Sequence, residues 1–152
     1  MLAERQHHGV RLWQPDWVTL KSAFVGKLKR SYDLLMADTY DFDRFLRYDE
    51  LMAWVDDLVA EHPDLIEVET YGQSHEGRDL RLVTVTDRAT GLHDTKPAHW
   101  IDANIHSVEL TASVAACSVL QHLVEGFVTG DEQVTRALRT RTFYVVPRVN
   151  PD

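Results

Sequence analysis

Between Pro97 and Pro147 the sequence reads strand, helix, helix, strand, and few architectures accommodate that order. The stretch AHWIDANIH is followed by LTASVAACSVLQHLVEGF, Leu110 to Phe127, which has helical length and composition. Its many Ala and Ser residues suit close packing against a sheet, and Gly126 stands near its end as a candidate terminator. In TGDEQVTRALR, Thr129 and Glu132 have the spacing of a capping box, and acids precede Arg136 and Arg139 as the helix dipole favours. TFYVVP is β-rich and apolar, which suggests a central strand. Strands joined through helices read as a crossover, so the expected fold is α/β, a mixed β-sheet flanked by helices.

The preceding segment supplies more of the sheet. Tyr48, Leu51, Val55, Leu58 and Val59 recur at helical spacing, with acids on the other face and Pro63 closing the helix. LIEVETYG alternates apolar and polar residues from Ile66 to Tyr71, and DLRLVTVTD alternates again. GQSHEGR between them is a turn, punctuated by Gly72 and Gly77. Strands over 66–71 and 79–86 are therefore expected to pair antiparallel. RATGLHDTKP reads as a loop, and the next strand is expected to run from just after Pro97 to His106.

Composition narrows the function classes. The formal net charge of -8 argues against an electrostatic nucleic-acid binder. Cys117 is the only cysteine, so no intrachain disulfide can form and cysteine-clustered zinc sites are ruled out. Its small, apolar surroundings suggest a buried hydrophobe, not a nucleophile. No run is expected to span a membrane, and the N-terminus lacks the apolar core of a secretory signal. The default expectation is a cytoplasmic chain, secretion staying open if the true start differs. Residues 1–40 differ from the rest: Trp17, Leu20, Phe24 and Leu28 stand at near-helical spacing among Lys21, Lys27 and Lys29. An N-terminal extension over 1–40, a docking helix or a poorly ordered leader, is expected ahead of a domain over 41–152. A membrane-surface helix is the weaker reading, since the segment is short and holds Pro15 and Gly26.

Two His-x-x-Glu pairs share one spacing. His122 and Glu125 lie inside the long helix, where residues three apart share a face and a surface polar pair is the ordinary outcome. His106 and Glu109 lie where a strand gives way to a helix. In α/β sheets functional groups gather beyond the carboxyl ends of strands. A turn there can aim both side chains at one spot, and imidazole nitrogen and carboxylate oxygen are suitable zinc ligands. The competing reading is a helix-start carboxylate beside a hydrogen-bonded histidine.

Four ordered blocks over about 42–152 resemble the zinc carboxypeptidase family, the carboxypeptidase A-like metallopeptidases. RYDELMAWVDDLVAEHPDLIEV is similar to its opening helix. YGQSHEGRDLRLVTVT is similar to its G-x-S-x-E-G-R hairpin, through Gly72, Ser74, Glu76, Gly77 and Arg78. DANIHSVEL resembles its first metal block, with His106 and Glu109 at the ligand positions. TRTFYVVPRVNPD resembles the strand leading into N-P-D-G. The resemblance implies a three-layer α/β/α domain, cut here after the strand at about 142–147. It implies one zinc ion and removal of a C-terminal amino acid from a peptide or protein substrate.

There are two departures. Val108 stands where some relatives carry an arginine. In the family pattern the third zinc ligand, the general base and the carboxylate-binding arginines fall beyond Asp152. No catalytic or substrate-binding residue is therefore assigned; His75, in a turn, and His93, in a loop, are read as surface histidines, and His99 is read as preceding the strand, far from His106. The resemblance thus implies a metallocarboxypeptidase fragment that is inactive alone and self-associates through an exposed sheet edge. The alternative is a non-catalytic carboxypeptidase-like binding domain.

Overall fold

The structure is a computed structural model that describes residues 40–152. The expectations for the N-terminal extension fall on residues outside these, Tyr40 excepted. Helix α1 spans Tyr48–Glu61, and strands β1 (Ile66–Gln73) and β2 (Asp79–Val85) follow as a hairpin. Two single 3-10 turns precede strand β3 (Ala98–Asp102). Helices α2 (Leu110–Thr129) and α3 (Glu132–Thr140) then lead to strand β4 (Thr142–Val146).

The strand order is β1-β2-β4-β3. β1 and β2 are antiparallel, β4 is antiparallel to β2, and β3 lies parallel to β4. The mixed sheet and central β4 are as expected. Register makes the two faces unequal. Ile66 lies opposite Val85, Val68 opposite Val83, Val83 opposite Val145 and Val145 opposite Ile101. Side chains alternate along a strand, so these residues share one face. They join a single apolar cluster with Val55 and Leu58 of α1, Leu120 and Val124 of α2, and Val134 and Leu138 of α3. All three helices thus contribute to one side. The opposite row, Glu67, Thr84, Tyr144 and Trp100, includes Trp100 at 59% exposure. There the segment around His93 gives partial cover, its Nδ1 lying 2.8 Å from the Tyr144 hydroxyl.

Local chemistry sets the boundaries, and several differ from the sequence reading. α1 starts where the Glu50 carboxylate accepts a 2.7 Å bond from the Arg47 N–H, and it ends at Glu61, two residues before Pro63. β3 stops at Asp102, short of His106. Asn104 adopts a φ of 58°, which no strand accommodates, so the chain turns there. His99 lies within β3, not ahead of it. Thr129 does not cap α3; it is the last residue of α2, and its hydroxyl donates to the Glu125 carbonyl at 2.8 Å. Asp131 caps α3 instead, accepting from the Gln133 and Val134 N–H groups at 2.9 Å each.

Gly126 does not terminate α2. That role belongs to Gly130 in the left-handed region, φ 77°. α2 also has the length, and a mean hydropathy of 1.2, of a membrane-crossing helix, contrary to the expectation that no run would qualify. Its apolar residues are accounted for by the core they fill against the sheet.

Gly126 is a packing glycine. A Cβ there would lie 2.6 Å from Val134 Cγ2 and 2.9 Å from Val134 Cβ, so α2 and α3 touch through it. Valine in a helix has essentially one χ1 rotamer and cannot swing aside. The overpacking cost of about 1–3 kcal/mol therefore exceeds the helix-propensity gain of about 1 kcal/mol from replacing glycine. Gly126→Ala is expected to lower the urea midpoint of unfolding; an unchanged midpoint would mean the two helices separate at no cost.

Candidate metal centre

The turn from Ala103 to Glu109 is anchored before it carries any chemistry. The Ala103 N–H donates to the Val146 carbonyl at 3.0 Å. The Ala103 carbonyl accepts from Val149 at 2.9 Å, and the Asn104 carbonyl from Asn150 at 3.1 Å. The ends of β3 and β4 are thereby held side by side. Asn104 is buried, and its Nδ2 donates to the carbonyls of His106, at 2.8 Å, and Ser107, at 3.1 Å. The Glu109 N–H donates to the His106 carbonyl at 2.9 Å and closes the turn.

That turn brings the two expected residues together. His106 Nδ1 lies 3.1 Å from Glu109 Oε2, with the side chains 74% and 54% exposed. Glu109 is the N-cap residue of α2, yet its carboxylate caps no backbone N–H. It meets the imidazole instead, which is also the pairing of a helix-start carboxylate with a hydrogen-bonded histidine that the competing reading describes. Two ligands of one tetrahedral zinc, with bonds of about 2.0–2.1 Å, stand about 3.3 Å apart. The separation observed and the donor chemistry both fit such an ion. They supply two of the protein ligands a zinc site needs, and no group of three or more His, Cys, Asp or Glu placed to hold a metal ion occurs among the described residues.

The remaining candidates lie elsewhere. Glu125 accepts a 2.7 Å bond from Gln121, and His122 is exposed, so the expected His122–Glu125 surface pair gives way to a Gln121–Glu125 pair. His75 is an exposed turn residue. His93 is tied to Tyr144 and lies 3.4 Å from Glu67, a better-held position than a surface loop suggested. Val108, beside Glu109, is 87% exposed. Cys117 is buried as expected, and desolvation pushes its thiol up to about 12 despite the nearby Arg148 guanidinium, so no thiolate forms at neutral pH.

One cluster escaped the sequence reading. Asp152 lies in a cradle at the β1–β2 turn. Its carboxylate accepts from Ser74 Oγ at 2.7 Å, the Glu76 N–H at 2.9 Å and the Arg78 guanidinium at 2.6 Å. The turn is shaped for this by Gly77, at φ 81°, and by a 2.8 Å bond from the Ser74 N–H to the Arg78 carbonyl. Ser74, Glu76 and Arg78 of the second sequence block thus meet Asp152 of the fourth. The only signal available was their presence in two blocks of one pattern.

The family model for zinc carboxypeptidases matches residues 51–152. Carboxypeptidase B of Astacus astacus is 36% identical over 112 residues, covering 74% of this chain and 34% of that protein. Carboxypeptidase A2 of Rattus norvegicus is 30% identical over 113 residues, covering 74% of this chain and 26% of that protein. Among solved structures, a metallo-carboxypeptidase from Burkholderia cenocepacia superposes with a TM-score of 0.54 at 28% identity, covering 66% of this chain and 26% of that one. Carboxypeptidase A from Helicoverpa armigera gives 0.61 at 19% identity, covering 89% of this chain and 32% of that one, and supports the fold alone. The chain belongs to the zinc carboxypeptidase family. It spans about a third or less of the length of these relatives.

The Asp152 cradle has a pH signature. Desolvation pushes this carboxyl up, but the bonds from Glu76, Ser74 and Arg78 outweigh it and hold it below its ordinary value. A lowered pKa means the contact is fully present above the ordinary carboxylate value, about 3.9, and is lost as pH falls through the lowered one. The Glu76 amide resonance is expected to titrate with a midpoint below about 3.9, and Asp152→Asn to abolish that titration. A midpoint above the ordinary value would contradict the cradle.

Proposed function

We propose that this chain carries part of the active site of a zinc-dependent carboxypeptidase, with His106 and Glu109 as two ligands of one zinc ion. The observation that carries this reading is the 3.1 Å approach of His106 Nδ1 to Glu109 Oε2 at the carboxyl end of β3, in a chain of this family. Zinc, when bound, supplies a Lewis acid that polarises a carbonyl and makes its water a stronger nucleophile. The chain's own part is to hold the metal. Both side chains are open to solvent at the sheet's edge, where a peptide C-terminus as substrate could approach. Imidazole binds a metal through a nitrogen without its proton, so metal and proton compete for His106 Nδ1. Val108 presents no charge to a substrate carbonyl beside these ligands. No described residue is assigned as general base or carboxylate clamp.

Two donors give a weak site. The 152-residue chain is expected to bind zinc in the micromolar range or weaker and not to hydrolyse a peptide substrate by itself. In competition with a chromogenic chelator, His106→Ala should weaken zinc binding by at least about tenfold, consistent with loss of one of two ligands. Unchanged affinity would remove His106 from the site. Chelator-sensitive release of a C-terminal amino acid by the unaltered chain would show that it is catalytically complete. Ordinary zinc binding to neither His106 nor Glu109 would favour the non-catalytic, carboxypeptidase-like binding domain.

Self-association belongs to the same reading. β1 and β3 are edge strands, and the sheet face bearing Trp100 and Tyr144 carries none of the three helices. Unpaired edges and exposed apolar surface favour pairing between copies. Sedimentation of the pure chain is expected to show concentration-dependent association; a single monomeric species across the accessible range would refute it.

A further inference from the structure

Asn104 stands out within the turn because its own conformation is unfavourable. It is a non-glycine residue at φ 58°, in the left-handed region, and it is 2% exposed. Both neighbours of its amide, the carbonyls of His106 and Ser107, can only accept, so the side-chain nitrogen must face them. Its oxygen, Oδ1, is then left buried with no partner among the described residues. A buried acceptor without a donor and a left-handed backbone both cost stability. Glycine at this position would remove both penalties.

The amide's reach explains what these penalties maintain. The His106 carbonyl accepts two bonds, from Asn104 Nδ2 at 2.8 Å and from the Glu109 N–H at 2.9 Å. The second bond is the one that folds Glu109 back toward His106. The first fixes that carbonyl to a residue whose own carbonyl is bonded to Asn150. A continuous chain of bonds thus runs from the β4 exit through Asn104 to the turn. The exposed His106 and Glu109 side chains have no comparable support of their own, being held chiefly by each other.

We propose that Asn104 is a positioning residue that presets the His106–Glu109 geometry for a metal ion, at the expense of local stability. This rests on the metal-ligand reading above, and it concerns how the ligands are held. Orienting contacts behind metal ligands commonly govern affinity by about tenfold or more.

The test is Asn104→Gly in the 152-residue chain, since glycine keeps the backbone conformation and deletes only the clamp. Zinc affinity is measured by chelator competition, stability by thermal unfolding, and the turn by amide exchange. The expected result is a zinc dissociation constant raised about tenfold, an unchanged or higher melting temperature, and faster exchange at the Glu109 amide. A zinc affinity equal to that of the parent, where His106→Ala still loses binding, overturns the positioning role and leaves the ligand reading intact. Binding unaffected by His106→Ala overturns the ligand reading itself. A melting temperature that falls in step with affinity makes Asn104 a structural residue only and also overturns the proposal. In the unaltered chain, the Glu109 amide must exchange more slowly than that of exposed Val108; equal rates count against the clamp, whatever the variant does.

Discussion

Backbone pairing along β4 is the constraint on which the other features depend. Three of its residues, Phe143 to Val145, pair antiparallel with β2 on one side, and all five pair parallel with β3 on the other. The parallel neighbour can be reached only through a crossover, and α2 and α3 provide it. Their apolar faces in turn fill the space above Val83, Val85 and Val145. The influence continues past the strand, since Val149 and Asn150 still bond to the Ala103 and Asn104 carbonyls. The turn bearing His106 and Glu109 is therefore an outgrowth of the central strand pair. Two exposed side chains gain a defined place from backbone bonds that are themselves buried among neighbours.

The elements with a strong alternation or helical period could be read directly. Ile66 to Tyr71 and Leu80 to Val85 signal strands because one face is buried and the other is not, and that asymmetry is written in residue type. The run from Leu110 was legible as a helix against a sheet for the same reason. Features decided by distant approach were not. Gly126 looks like a terminator in one dimension; only the nearness of Val134 makes it a contact point. Thr129 and Asp131 both satisfy cap chemistry, and the left-handed turn at Gly130 selects the second.

The turn from Asn104 to Glu109 was legible to a similar degree. The identity of His106 and Glu109, and their position between strand and helix, pointed to one another. What their spacing could not convey was the path of the intervening backbone. It depends on Asn104 leaving the extended region, a preference too weak in asparagine to read from sequence. Likewise nothing local in the Ser74–Arg78 turn announces a carboxylate 78 positions away. The pair at His122 and Glu125 shows the converse: identical spacing inside a regular helix, with Gln121 the better-placed partner.

The antiparallel β2–β4 register and the Asp152 cradle together impose an order on synthesis. The hairpin of β1 and β2 is complete early, but the free side of β2 finds its neighbour only when Val145 emerges, and its turn gains the Asp152 carboxylate later still. Until then a growing chain carries an apolar strand with one open side, a state prone to pairing with other chains. A chaperone acting on this protein would have that interval, between the hairpin's emergence and the arrival of β4, in which to matter.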